Sequence, residues 1–204
     1  MYRPLHSQLS PNQKFSYTET IVSELSDIVI CMWELNNKEN TDSFISNLME
    51  DGCINFVVNL TAKSIFYSPT HELALNLNSH YIGFRLKPGA FYALTDIDTP
   101  TIMNKILPLA TIDETFNQIS FFALDVDEMK KILTDYLVNL QKQAEDLEFI
   151  RLFDQLHEYH FLNPKEVYEF VNFTPRHTQR LFKKHYGLTP KKIISIIDEN
   201  LSIL

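Results

Sequence analysis

The sequence predicts an α+β protein in which a β-rich N-terminal part precedes a helical C-terminal part. Short runs of β-branched and aromatic residues, separated by turn signals, fill the chain up to about residue 124. From residue 125 onward, apolar residues recur at helical spacing, and three pairs of a capping residue and a proline follow. These observations predict a β-rich domain over 1–124, a connecting amphipathic helix over 125–147 and a helical domain over 148–204.

The composition excludes several classes of protein. The 204 residues are 45% hydrophobic with only 4 glycines, which suits a packed core and not a disordered chain. Cys31 and Cys53 are too few for a disulfide framework, and we expect two buried thiols. No segment has the apolar length of a signal peptide or a membrane span, so we expect a cytoplasmic protein without a membrane partner.

The β-rich part is predicted from texture and turns. Residues 1–18 are polar and contain Pro4 and Pro11, and we expect them to form an extended arm. Turn signals at Asn36-Asn37, Asp51-Gly52 and Pro88-Gly89 separate the apolar runs that follow. Those runs are 27–35, 53–60, 64–67, 73–77, 81–86 and 90–94. Short strands at this spacing are typical of a compact antiparallel sandwich or barrel.

One amphipathic helix is predicted to follow. Asp125 and Glu128 have the spacing of a capping box. The apolar residues that recur at helical spacing behind them are Met129, Ile132, Leu133, Tyr136, Leu137 and Leu140. The helix should have about six turns and end near Asp146. Its apolar stripe can pack on the β-rich part, which we favour, or pair with the same helix of a second subunit.

Three short helices are predicted near the C-terminus. Each begins at a capping residue followed by proline: Asn163-Pro164, Thr174-Pro175 and Thr189-Pro190. They should span 164–172, 175–186 and 190 to about 203, and Gly187 should end the middle one. The first two, joined by a tight turn at Asn172-Phe173, match a helix-turn-helix pattern.

Charge is distributed unevenly along the chain. The net charge of −8, with a pI of about 5.3, taken alone argues against a nucleic-acid partner. Residues 174–192 nevertheless contain six basic residues and no acid, a charge of +6, so the remainder must carry −14. A local cationic strip is typical of a surface that contacts phosphates. The alternative is a solvated basic face on an ordinary helical hairpin.

Spacing separates two groups of polar side chains in this strip. Arg176, Gln179 and Arg180 fall on one face in the N-terminal half of the second helix, the part that enters the major groove in such motifs. Arginine and glutamine make bidentate contacts to base edges, so these three residues are the candidate base readers. The candidates for phosphate contacts are Lys183, Lys184, Lys191 and Lys192.

The segment 173–190, FTPRHTQRLFKKHYGLTP, resembles the first helix-turn-helix of AraC/XylS-type regulators. The residues that fit the family pattern are Thr174, Gln179, Arg180, Leu181, Phe182, Gly187, Thr189 and Pro190. The resemblance implies a sequence-specific, double-stranded-DNA-binding transcription regulator. It also places the family's base-contacting positions on Arg176, Gln179 and Arg180.

The N-terminal part carries a second resemblance. Trp33-Glu34, the residues 50–53 and the residues 84–90 are similar to motifs of the β-rich sensor domain that precedes this unit in one AraC subgroup. This implies a cupin-like domain that senses a small-molecule effector or mediates dimerisation. The candidate ligand-binding residues are Trp33, Phe84 and Arg85.

Two departures from the family leave alternatives open. The family has two helix-turn-helix units, whereas this sequence stops after the first, and Asp198-Glu199 stand where the family often has arginine and an aromatic residue. A single unit would bind weakly, so a homodimer or a dimer with a related regulator is expected. The chain could instead be a truncated regulator that sequesters a full-length relative without useful DNA binding of its own.

Catalytic and metal-binding patterns are weak. His71, Glu72 and His80 lack the spacing of a metal-binding cupin, and His157 and His160 do not form HExxH because residue 161 is phenylalanine. We expect the histidines of the helical part to be surface or capping residues: His157, His160, His177 and His185. No GxSxG, Walker or GxGxxG motif occurs. We therefore expect no enzyme activity, metal or cofactor, although a small-molecule-binding or enzymatic cupin-like protein with an incidental helical tail is a third hypothesis.

Overall fold

The computed structural model describes residues 15–37, 44–45, 48 and 50–201. The arm predicted over 1–18 falls mostly outside the described residues. Its described end is instead a paired strand, β1 (Phe15–Thr20), which lies antiparallel to β2 (Val29–Asn37). The prediction of an arm with little structure is therefore wrong for residues 15–18, because their backbone groups bond to the neighbouring strand and the Phe15 side chain is buried.

The β-rich part contains a six-stranded antiparallel sheet and a separate two-stranded ribbon. The remaining strands are β3 (Phe44–Ile45), β4 (Ile54–Asn59), β5 (Ser64–Pro69), β6 (Leu75–Asn76), β7 (Tyr81–Leu86) and β8 (Leu107–Pro108). The order in the main sheet is β1-β2-β7-β4-β5-β8, and β3 pairs with β6 in a separate two-stranded ribbon. All pairings among the described strands are antiparallel.

Both faces of the main sheet are covered, and residue parity decides which face a side chain joins. In β7, the side chains of Ile82, Phe84 and Leu86 join one buried apolar cluster. Tyr81 joins a different cluster on the other side of the sheet. We call the Phe84 side the first face and the Tyr81 side the second face. Because side chains alternate along a strand, Arg85 belongs to the second face.

Two helices cover the first face. Helix α1 (Ala90–Thr95) and helix α3 (Val126–Gln143) bury their apolar residues in the same cluster as Phe84. The predicted capping box at Asp125 is present, and the predicted packing of this helix on the sheet is confirmed by the burial of Leu133 and Leu137. A short helix α2 (Gln118–Phe121) precedes it. Helix α3 ends at Gln143, a little before the predicted end.

The strand predicted over 90–94 is wrong, since these residues form α1. Ala90, Phe91 and Leu94 are buried, and their spacing of one and four places them on one side of a helix. Gly89, at a φ of +89°, turns the chain between β7 and the helix. A short apolar run does not distinguish a strand from a single helical turn packed on a sheet.

The C-terminal part consists of four helices. They are α4 (Glu148–Tyr159), α5 (Pro164–Val171), α6 (Pro175–Tyr186) and α7 (Pro190–Leu201). The three predicted cap-plus-proline starts are confirmed: the side-chain oxygens of Asn163, Thr174 and Thr189 each accept a backbone N–H of the first turn. Gly187 ends α6 at a φ of +72°, as predicted.

The α+β class is confirmed: an antiparallel sheet is followed by a series of helices. We refer to residues 15–124 as the sheet region and to residues 148–201 as the helical region. A single buried apolar cluster contains residues of both. Trp33 and Cys53 of the sheet's second face belong to it, and so do Phe153, Phe182 and Ile193 of the helices.

Candidate nucleic-acid interface

Helices α5 and α6 are joined by a short turn that local interactions fix. Asn172 adopts a left-handed conformation, with φ of 54°, and ends α5. The Thr174 hydroxyl oxygen accepts the N–H of His177 at 3.4 Å and so begins α6. The Gln179 amide donates to the Tyr168 hydroxyl at 3.1 Å, which links the two helices across the turn.

The candidate base readers lie on the outer face of α6. Arg176, Gln179 and Arg180 are exposed, whereas Phe182 and Tyr186 are buried against the rest of the protein. This separation follows from the helical period, which places the positions 176, 179 and 180 on one side. The structure therefore brings the three predicted readers together on a solvent-facing surface.

The four candidate phosphate lysines do not share one environment. Lys183 and Lys191 are exposed. The Lys184 ammonium lies over the ring of Tyr92, 4.5 Å from its centroid, and the Lys192 ammonium is 2.9 Å from a carboxylate oxygen of Glu50. A hydrogen bond with Tyr92 raises the pKa of Lys184, and a hydrogen bond with Glu50 raises the pKa of Lys192.

The reader surface borders a concavity with a wall from the sheet region. Asp98 and Pro100, in the segment after α1, face this space of about 670 Å³. Its other lining residues are Arg176, Gln179, Arg180, Leu181, Lys183 and Lys184. Asp98 is exposed, so a carboxylate stands beside the basic side chains of α6.

The C-terminal end of α6 is anchored to the sheet region. The Thr99 hydroxyl donates to the backbone carbonyl of His185 at 2.7 Å. The His185 ring stacks on Phe149 at 3.7 Å between centroids and meets Tyr92 edge to face at 4.4 Å. Burial lowers the pKa of His185 from 6.5 to about 4. At Gly187, a side chain would collide with Met103, since an added Cβ would lie 2.4 Å from its Cγ.

His185 is a residue that sequence reasoning placed wrongly. We expected the histidines of the helical part to be surface or capping residues, yet the His185 side chain is only 4% exposed. Its partners Thr99 and Tyr92 lie far away in the sequence, and no local pattern connects them to α6. The positions three and four residues before it, Phe182 and Leu181, give the only local signal of burial, because residues at this spacing share a helix face.

The three candidate ligand residues are divided between the two faces of the sheet. Trp33 and Arg85 are each 2% exposed on the second face, whereas Phe84 lies on the first face beside Phe56, at 6.5 Å between ring centroids. Phe84 and Arg85 are consecutive in one strand, so their side chains point to opposite sides. The structure therefore separates Phe84 from the other two.

A buried polar cluster surrounds Trp33 and Arg85. The Trp33 indole N–H donates to the Asn55 amide oxygen at 3.2 Å, and Arg85 forms a buried ion pair with Asp51. The Asn55 amide in turn donates to the Thr70 hydroxyl at 3.1 Å. Sequence reasoning missed Asn55 as a member of this cluster. The alternation of β4, which puts Asn55 on the same side as Cys53, could have indicated it.

Two further features of the described residues concern metals and membranes. Within the ranges 15–37, 44–45 and 50–201 and at residue 48, no group of three or more His, Cys, Asp or Glu residues is arranged to hold a metal ion. Among the helices of that same portion, none combines the length and apolar character that crossing a bilayer requires.

Comparison with known proteins identifies one matching segment. Residues 22–108 match the family model described as Domain of unknown function (DUF6597). This segment contains the strands β2 to β8 and helix α1, and it ends before α3. No curated protein and no solved structure matches the chain.

Proposed function

We propose that this protein is a sequence-specific, DNA-binding transcription regulator of AraC type. The observation that carries the proposal is the outer face of α6. It presents Arg176, Gln179 and Arg180 to solvent, with Lys183 beside them, on the second of two helices joined by a short turn. Arginine and glutamine at such positions are suited to bidentate contacts with guanine and adenine edges.

The dimensions and electrostatics of α6 support this assignment. An α-helix with its side chains is about 10–12 Å across, which fits a major groove about 12 Å wide. The stretch 174–192 carries +6 and no acid within the sequence. Lys183 and Lys191 are exposed and can approach backbone phosphates, which supply the salt-dependent part of the affinity.

The N-terminal part supports a sensing or dimerisation role. The segment that matches the DUF6597 model, 22–108, contains all three motifs that resemble the sensor domain of the AraC subgroup. We propose that this β-rich domain responds to a small-molecule effector or pairs two copies of the chain. One helix-turn-helix unit reads one segment of groove, so a dimer on two half-sites would supply the affinity that a single unit lacks.

The decisive experiment is fluorescence anisotropy with duplex DNA selected from a random pool, measured across a salt series. For the wild type, log affinity should fall linearly with log salt, at about 0.9 per contacted phosphate. Arg180→Ala should weaken binding about 5- to 150-fold, the equivalent of about 1–3 kcal/mol for a lost bidentate contact.

The matched control is Arg151→Ala, which removes an exposed arginine from α4, outside the basic strip. This variant should bind like the wild type. Duplexes with two half-sites should bind more tightly than duplexes with one if the protein acts as a dimer. Equal affinities of the Arg180 and Arg151 variants, or no wild-type binding at low salt, would contradict the proposed function.

A further inference from the structure

We propose that the sheet region restrains DNA binding by acting as an intramolecular competitor for the phosphate backbone. This inference rests on the proposed function and concerns the regulation of the same surface. It follows from three side chains of the sheet region, Glu50, Tyr92 and Asp98, which meet the basic side chains of α6 and α7.

Lys192 is held by an acid of the sheet region. Its ammonium lies 2.9 Å from the Glu50 carboxylate, and both side chains are partly exposed, at 43% and 25%. A pair this open to water contributes little to folding stability. It does, however, neutralise one of the four lysines that we assign to phosphate contacts. A phosphate that approaches Lys192 must compete with the Glu50 carboxylate for the ammonium charge.

Lys184 is held in a different way. Its ammonium lies over the Tyr92 ring at 4.5 Å, within the range of a cation–π contact. Tyr92 also meets the His185 ring, so the aromatic side chain supports the neighbouring residue of α6 as well. A phosphate on the other side of Lys184 must compete with the ring for the same charge.

Asp98 acts on the reader surface itself. Its exposed carboxylate lines the concavity that Arg176, Gln179 and Arg180 also line. A negative charge at this place repels an approaching phosphate backbone, and Pro100 occupies part of the space beside the helix. The segment is held there because the adjacent Thr99 is buried and hydrogen-bonded to α6.

Together, the sheet region holds two of the four phosphate lysines and places a carboxylate beside the readers. The arrangement is an autoinhibitory contact that needs no separation of the two regions. Any effector or partner that draws Glu50, Tyr92 or Asp98 away from α6 and α7 would raise the affinity for DNA. All three side chains lie within the segment 22–108, so they belong to the part of the chain that we assign to sensing.

The test uses the full chain with Glu50→Gln and Asp98→Asn, singly and combined, and Tyr92→Leu as a third variant. The matched control is Asp135→Asn, which removes one exposed acid from α3 and so changes the net charge equally. Glu50→Gln, which removes a surface ion pair, should bind the selected duplex about two- to five-fold more tightly than the control at the same salt. Asp98→Asn, which removes a carboxylate beside the readers, and Tyr92→Leu, which removes the ring under Lys184, should each also bind more tightly than the control. Hydrogen exchange at amides 184–188 should remain slow in Glu50→Gln, because the Thr99 anchor is intact.

Two results would overturn the inference. One result is that Glu50→Gln and Asp98→Asn bind no more tightly than Asp135→Asn while Arg180→Ala still weakens binding. The proposed DNA binding would then stand, and the proposed restraint by the sheet region would fail. If neither the wild type nor any released variant binds duplex DNA at low salt, the proposed function fails and the inference fails with it. Wild-type binding that Arg180→Ala weakens, together with tighter binding by Glu50→Gln and Asp98→Asn than by Asp135→Asn, would support both.

Discussion

Replacing Gly83 with alanine should destabilise the sheet, because the Trp33 ring occupies the space in which the new methyl group would lie. An ideal Cβ at residue 83 would stand 2.1 Å from the Trp33 Cε2 and Cζ2 atoms, far inside contact distance. Both residues are in register, on β7 and β2, and Trp33 is only 2% exposed. The indole must therefore shift within a packed interior.

The magnitude has two parts. Overpacking a well-packed core costs about 1–3 kcal/mol. A shift of the indole also breaks its hydrogen bond to Asn55, and a buried polar group left without its partner costs about 1–3 kcal/mol more. The two parts together give a loss of about 2–6 kcal/mol in the free energy of unfolding. With a urea m value of about 2 kcal/mol/M, the midpoint should fall by about 1–3 M.

The assay is urea unfolding followed by far-UV circular dichroism and by the emission of Trp33, the one tryptophan of the chain. Trp33→Leu, with and without Gly83→Ala and followed by circular dichroism alone because the indole is absent, completes a double-mutant cycle. The cost of the alanine should largely disappear when the indole is absent. An alanine variant with an unchanged midpoint, or a cost that persists in the leucine background, would refute this account of the close contact.

Two other predictions concern buried charge. Asp51→Asn should lower the free energy of unfolding by about 3–5 kcal/mol, because it leaves the Arg85 charge buried without its carboxylate. Urea titration of the variant measures this loss, and an unchanged midpoint would contradict the prediction. Stability should fall as the pH drops from 6.5 towards 4, where the unfolded chain protonates His185 and the folded protein does not, and should change little from this source above 6.5. Over this pH range the His185 contribution to the free energy of unfolding should fall by about 3 kcal/mol. A His185→Phe variant should show a flatter dependence of stability on pH, and an equally steep dependence would assign the loss of stability to another group.

Local chemistry made much of the helical region predictable. A capping residue followed by proline determines a helix start within a few residues, and Asn163 and Thr174 begin α5 and α6 where predicted. The exposure of Arg176 and Arg180 could likewise be predicted, because helical spacing alone places them opposite Phe182.

Contacts between distant segments could not be predicted in this way. The hydrogen bond between Thr99 and His185 depends on how the sheet and helices pack, and neither residue has a local pattern that names the other. The same is true of Glu50 and Lys192. The error at α1 has a different origin: the run 90–94 is too short for its periodicity to separate a strand from a helix.

The apolar cluster shared by the sheet's second face and the four C-terminal helices has a mechanical consequence. Trp33 and Cys53 are packed in the same interior as Phe153 and Ile193, so the two regions pack directly against each other along this side. Close-packed interiors resist compression and transmit displacement to their neighbours. A stimulus at the sheet would thus reach α6 as a small displacement of packed side chains within one rigid body, and not as a hinge motion between two domains.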